Sequence, residues 1–364
     1  MGISFIHTGD LHLGLQFENA SFSSEFANIR RREIWETFER IINRANERKI
    51  DLLLISGDLF EEEYCSIGDI KRIRSIFNLL KETRVIITAG NHDNLSKKSL
   101  YKLIDWPNNV IVFEKDYMEK IIFKDLNVAI WGLSWENKLE KRNLVKHVNL
   151  DNHMENILVV HGDILNKDSM YLPIYKENLK GFDYVALGHI HKHQFIDKNI
   201  AYCGSPEPLD FGETGIHGII EGTISNGKCM TKFIPFGKRE FVITEIDINS
   251  SMDYQDIINS MVSIDTKENK NKNLYRIILN GFIDRDIKLN IRDIEGTLRD
   301  KFKYIEIINN TRLDYDLEKI EEQNNGNIIG DFIREMKKEG LNNPLVKEAL
   351  YEGLEVLFNE KVRK

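Results

Sequence analysis

Val85-Ile86-Ile87-Thr88-Ala89-Gly90-Asn91-His92-Asp93 passes abruptly from apolar to polar chemistry. Its first four residues predict a buried strand, which then stops on a glycine and three polar side chains. The same figure recurs along the first half of the chain. A predicted strand at 3–7 leads into Asp10-Leu11-His12, and one at 51–55 leads into Gly57-Asp58. Strands at 157–160 and 184–187 lead into His161-Gly162-Asp163 and Gly188-His189-Ile190-His191. Between the early strands, residues 25–48 carry Ile34, Trp35, Phe38, Ile41, Ile42 and Ala45 at helical spacing. Residues 70–80 predict a second amphipathic helix. Strands alternating with helices indicate an α/β core. In open sheets of that class, ligands gather beyond the carboxyl ends of the strands.

Five strand ends therefore deliver Asp, Asn and His to one edge. Carboxylate and imidazole together suit manganese, iron or zinc, whereas all-oxygen sites suit magnesium or calcium. Side chains two apart on an extended segment point the same way, so Asp10 and His12 can address one ion, as can His189 and His191. Asp58, alone at its strand end, suits a carboxylate shared by two ions. Two cations about 3.5–4 Å apart clamp both the attacking and the leaving oxygen of a phosphoryl centre. Each motif alone is common. Gly-Asp after a strand is often only a turn. A histidine on an apolar strand, such as His7, is more often a core residue than a ligand. The set, each member at a strand end, is specific. His147, His153, His193 and His217 lack that framing and are expected to pack or to face solvent.

The 364 residues suffice for two or three domains, and 41% hydrophobic content supports a sizeable core. The apolar runs are too short to span a bilayer and nothing resembles a leader, so no membrane role and a cytoplasmic location are expected. Cys65, Cys203 and Cys229 are widely spaced and are expected to be reduced thiols. A net charge of −8 excludes binding to nucleic acid by bulk positive charge alone. The substrate must be small, or contacts local and metal-assisted, or a partner must supply positive surface.

From residue 194 the pattern turns strand-rich, through 215–223 and 230–235. Strands at 241–248, 274–279 and 304–308, helices at 253–262 and 289–302, and a polar loop at 265–273 make a small α/β unit. Residues 316–327 read as a polar linker. Helices at 328–339 and 344–358 follow, with one apolar stripe through Ile328, Ile329, Phe332, Ile333 and Met336 and another through Leu345, Val346, Ala349, Leu350, Leu354, Leu357 and Phe358. The expected domains are 1–237, 238–315 and 316–364.

The set Asp10-x-His12, Gly57-Asp58, Gly90-Asn91-His92-Asp93, His161 and Gly188-His189-x-His191 resembles the calcineurin-like metallophosphoesterase superfamily. Three stretches resemble its SbcD-type DNA repair exonucleases: Asp10-Leu11-His12-Leu13-Gly14, Gly57-Asp58-Leu59-Phe60, and the run from Tyr202 through Gly204-Ser205-Pro206 to Glu213. The resemblance covers roughly residues 3–213. It implies a four-layer αββα sandwich, a small α/β capping domain at 238–315 and a C-terminal helix pair that docks on an SbcC-like coiled-coil ATPase. It implies two divalent metal ions, usually Mn2+. Asp10, His12, Asp58 and His191 would hold one; Asp58, Asn91, His161 and His189 would hold the other. His92 would protonate the leaving oxygen, with Asp93 either orienting it or serving only as a turn residue. The implied activity is Mn-dependent exo- and endonucleolytic hydrolysis of DNA, with a homodimer possible.

Lys97 and Lys98, just past His92, are the expected contacts to a phosphate backbone; Arg30, Arg31 and Arg32 read instead as a solvated helix face. Glu61-Glu62-Glu63 departs from the pattern and places three acids where an anion must bind. The alternative activity is a two-metal phosphodiesterase or phosphatase for nucleotides or other small phosphoesters. A protein phosphatase fits less well, because Ala89 stands where that branch has arginine. A silent scaffold would lack a ligand, and every expected position is filled.

Overall fold

The computed structural model describes residues 2–17, 22–284 and 286–362. The chain divides into two compact units, Met1–Phe241 and Val242–Lys364.

In the first unit the order is β1 (Ile3–Thr8), α1 (Ser24–Arg48), β2 (Leu52–Ser56), α2 (Ile67–Phe77), β3 (Arg84–Thr88) and β4 (Val110–Val112). Then come β5 (Glu119–Phe123), β6 (Val128–Gly132), β7 (Glu155–His161), β8 (Tyr184–Gly188), β9 (Gln194–Asp197), β10 (Ile200–Tyr202), β11 (Gly218–Ser225) and β12 (Lys228–Pro235). They build two six-stranded sheets, ordered β12-β11-β1-β2-β3-β4 and β5-β6-β7-β8-β10-β9. β1 through β4 run parallel, as do β6, β7 and β8, so their carboxyl ends share an edge within each sheet.

The uninterrupted apolar runs follow from burial of both sheet faces. In β2, Leu53 and Ile55 face α1 and α2, while Leu52 and Leu54 face the second sheet. In β7, Ile157 and Val159 meet them across the sandwich, and Leu158 and Val160 face outward. That outward face is covered by Val145, Leu172, Ile174, Leu179 and Phe182, which lie on irregular chain and one 3₁₀ turn. α1 is capped by the Ser23 side chain, which accepts from the Phe26 N–H, and closes on Lys49 in the left-handed region. Arg30 departs from the solvated-face expectation. It is fully buried, donates to Glu33 at 2.6 Å and pairs with Glu207, while Glu33 also binds Arg239. A charge so deep is tolerable only with such partners.

The second unit contains β13 (Phe241–Ile248), α3 (Tyr254–Val262), α4 (Lys267–Lys272), β14 (Leu274–Asp284), α5 (Ile291–Leu298), β15 (Tyr304–Asn309) and β16 (Arg312–Asp314). It ends with α6 (Leu317–Gln323), α7 (Ile328–Glu339) and α8 (Pro344–Val362). β14 pairs with β15 through its first half and with β16 through its end. Two polar stretches are helical where loop and linker are expected. Residues 265–273 include α4, capped by Thr266, whose Lys270 is buried with its ammonium bonded to the Val262 carbonyl. Residues 316–327 include α6, which buries Ile320 against Ile329, Ile333, Leu350 and Leu354 of α7 and α8. Among the described residues, no helix is long and apolar enough to cross a membrane.

Candidate metal centre

The segment after β1 is tied to the segment after β2. The Asp10 N–H donates to the Gly57 carbonyl and the His12 N–H to the Asp58 carbonyl, each at 3.0 Å. Asp10, His12 and Asp58 all have φ near +50°, a region that non-glycine residues enter only when their surroundings require it. Gly57 is obligatory: its φ is +97°, and a Cβ there would lie 2.3 Å from His161 Nδ1. These turns aim the side chains inward. Asp10, Asp58 and His161 form one group of closely spaced ligand atoms, and Asp10, His12 and His191 another.

The hydrogen bonds fix where the protons sit. The Ser56 carbonyl can only accept, so His161 Nδ1, 3.0 Å away, carries the proton and Nε2 presents a lone pair. That Nε2 lies 3.0 Å from Asn91 Oδ1 and 3.3 Å from Asp58 Oδ2. Burial pushes the His161 pKa down, so the ring is neutral. Burial raises Asp58, but the neighbouring His161, His12 and His92 imidazoles lower it further, for a net fall to about 2. The His161 Nε2 lone pair thus faces an Asp58 carboxylate oxygen at 3.3 Å. Likewise His12 Nδ1 meets Glu61 Oε1 at 2.7 Å and His191 Nδ1 meets Glu213 Oε1 at 2.6 Å, while the two Nε2 atoms approach to 3.1 Å. Donor sets that converge in this way fit divalent cations, whose imidazole ligands commonly give their other nitrogen to a carboxylate or carbonyl. Asp58 Oδ2 also lies 3.8 Å from His12 Nε2, so one oxygen faces members of both groups.

His189 donates its backbone N–H to Asp10 Oδ1 at 3.0 Å, and its ring lies 5.3 Å from His161 and 4.7 Å from Tyr171. Burial and the neighbouring His161 lower its pKa to about 4, so it too is neutral. In His191 burial lowers the pKa, but the Glu213 hydrogen bond and the Glu213 and Asp10 charges raise it to about 9; a cation would displace that proton.

His92 stands apart, with its side chain 44% exposed at the open face. Its backbone N–H donates to Asp58 Oδ1 at 2.9 Å, and its Nδ1 lies 2.9 Å from Glu61 Oε2. Burial lowers its pKa, yet the Glu61 hydrogen bond and the Asp58, Glu61 and Asp93 charges raise it to about 9. Asp93 binds the Leu59 and Gly90 N–H groups and the Tyr101 hydroxyl, so it braces the turn.

The seven expected ligands and His92 thus meet at one edge of the sandwich. Lys98 lines the cleft beside His92 with Glu62, Lys138 and Tyr171, whereas Lys97 is exposed outside that cleft. Of the three acids, Glu61 turns in and is buried, Glu62 accepts from the Leu100 N–H, and Glu63 lies 3.7 Å from Lys138. Glu61 and Glu213, whose carboxylates bond the His12, His92 and His191 rings, are not placed in the centre by the sequence pattern. The core reading of His7 agrees with its hydrogen bonds to Tyr184 and Ser56, and His193 stacks on Phe233.

Residues 3–193 match the calcineurin-like phosphoesterase family. An uncharacterized metallophosphoesterase of Bacillus subtilis, YhaO, is 29% identical over 64% of this chain and 60% of its own length. The DNA double-strand break repair protein Mre11 of Methanocaldococcus jannaschii is 27% identical over 99% of both chains. The protein of the same name from Methanopyrus kandleri is 28% identical over 57% of this chain and 49% of its own. The matched span takes in every strand end that carries a ligand-type side chain, and this chain belongs to the calcineurin-like phosphoesterases, metal-dependent hydrolases of phosphoester bonds.

Proposed function

We propose that the protein is the nuclease subunit of an SbcD-type DNA repair complex, hydrolysing phosphodiester bonds with two divalent cations, Mn2+ by preference. The carrying observation is that His12 and His161 present Nε2 toward the same oxygen of Asp58, at 3.8 and 3.3 Å. Asp10, His12, Asp58 and His191 would hold one cation; Asp58, Asn91, His161 and His189 would hold the other. Bound there, the pair would supply Lewis acidity to the phosphoryl oxygens and an activated water.

The chain's own residues do the rest. His92, charged and exposed, donates a proton to the departing oxygen. Lys98, with Lys97 beyond the cleft, meets the flanking phosphates. The acidic balance of −8 favours a partner that carries bulk DNA binding, an SbcC-like coiled-coil ATPase that would engage α7 and α8. Alignment over 99% of both chains with an archaeal DNA double-strand break repair protein supports the nuclease reading.

The test compares linear duplex DNA, single strands and a small aryl phosphodiester with added Mn2+. Hydrolysis of DNA supports the proposal. Turnover of the small ester alone, even with the ATPase present, favours a phosphodiesterase for nucleotides or other small phosphoesters.

A further inference from the structure

Glu61 follows Gly57-Asp58-Leu59-Phe60 and heads a run of three acids, a poor neighbour for an anionic substrate. The structure gives it a specific place. Its backbone N–H donates to the Leu13 carbonyl at 2.9 Å, which draws the turn after β2 alongside the turn after β1. The side chain is buried and its two oxygens are divided. Oε1 faces His12 Nδ1 at 2.7 Å; Oε2 faces His92 Nδ1 at 2.9 Å. The two rings stand edge to face, 4.8 Å apart.

An ionised carboxylate only accepts, so both imidazoles must carry a proton on Nδ1. Each ring is thereby turned with Nε2 away from Glu61. For His12 that nitrogen points to His191 Nε2 at 3.1 Å; for His92 it is left toward the exposed cleft. We propose that Glu61 is a positioning residue that sets, with one carboxylate, both the ligand tautomer of His12 and the orientation of the proton donor His92. This rests on the two-cation phosphodiesterase reading. Its chemical content is a coupling: the ring that would hold a cation and the ring that would protonate the leaving group cannot be adjusted independently. The hydrogen bonds also neutralise the acid's local charge against the donor ring, so an inward glutamate is compatible with an anionic substrate.

Glu61→Gln isolates this coupling. An amide offers one acceptor oxygen and one donor nitrogen, so it can accept from one imidazole Nδ1–H and not from both. Outer hydrogen-bond partners of metal ligands typically change affinity or activity by roughly tenfold to a hundredfold. E61Q is therefore expected to weaken Mn2+ binding in calorimetry by about tenfold or more. At saturating Mn2+ its kcat on a small aryl phosphodiester should fall about tenfold to a hundredfold while KM holds. At saturating Mn2+, adding E61Q to His92→Ala should lower kcat little beyond His92→Ala alone, because the kcat effect acts through the His92 ring, while the loss of Mn2+ affinity through His12 persists. Full additivity, or wild-type kcat and Mn2+ affinity in E61Q, overturns the proposal.

A measurement on the wild-type protein removes dependence on the variant's folding. Histidine ring ¹⁵N shifts of the chelator-treated chain should show Nδ1 protonated on both His12 and His92; an unprotonated Nδ1 on either overturns the proposal. If wild-type protein with Mn2+ hydrolyses no phosphodiester, the functional reading fails, and the ring shifts still decide the role of Glu61.

Discussion

His92 lies where substrate can reach it, while its neighbours in the cluster are largely covered. Its backbone is locked by Asp58 and its ring by Glu61, so truncating the side chain leaves the turn in place. His92→Ala is expected to lower kcat by roughly 10²–10⁴ with Mn2+ binding retained, read by steady-state kinetics beside calorimetry. Loss of both together would make His92 a ligand instead of a proton donor. At this scale the sequence was legible wherever a side chain ends a buried strand, because strand direction says where it must point. Glu61 and Glu213 were opaque for the converse reason. Each lies on a turn outside the strand pattern, Glu61 tied through its N–H to the remote Leu13 carbonyl and Glu213 held within its own loop by Ser205 and Leu209. Arg30 escapes the pattern because helical spacing says which residues share a face, and not that a loop carrying Glu207 covers it.

Single elements show a similar division. The strands with both faces buried were found within a residue or two, since nothing else explains runs such as Leu52 to Ile55. α4 and α6 were missed because their composition is polar, and each is held by one buried side chain, Lys270 or Ile320. α1 carries a pH-dependent feature. Burial raises the Glu33 pKa, but bonds and charges from Arg239 and Arg30 lower it further, for a net fall from 4.5. A carboxyl depressed on folding stabilises the native state above its unfolded pKa, and loses that contribution as pH falls from about 4.5 through the folded value. Glu33→Gln should therefore lower stability at pH 7 by an amount on the order of 3 kcal/mol for a broken buried pair, with a matching fall in Tm. The gap between variant and wild type should narrow at pH 3 in thermal melts. An equal gap at both values would remove Glu33 from the acid response.

At the scale of the molecule, the terminal helices bury most of their apolar stripes against one another and α6, which leaves Ile328, Leu345 and Val356 exposed at 70%, 75% and 62%. If α7 and α8 engage an ATPase, these three supply the contact. Changing all three to Gln should abolish co-purification with the coiled-coil partner and leave hydrolysis of a small aryl ester within about twofold, as surface changes rarely disturb a distant core. Retained association would move the docking surface elsewhere. Such exposure was not readable in advance, because an apolar stripe looks the same whether it meets its own helices or a guest.

The two sheets contribute unequally to the centre. Asp10, His12, Asp58 and Asn91 leave the first sheet; His161, His189 and His191 leave the second. On the proposed ligand assignment neither half alone would complete a coordination shell, so a cation held there would recognise only the docked sandwich and act as a latch, never as a template. Manganese should accordingly slow unfolding in stopped-flow denaturant jumps and leave the refolding limb nearly unchanged, the signature of an interaction made after the rate-limiting barrier.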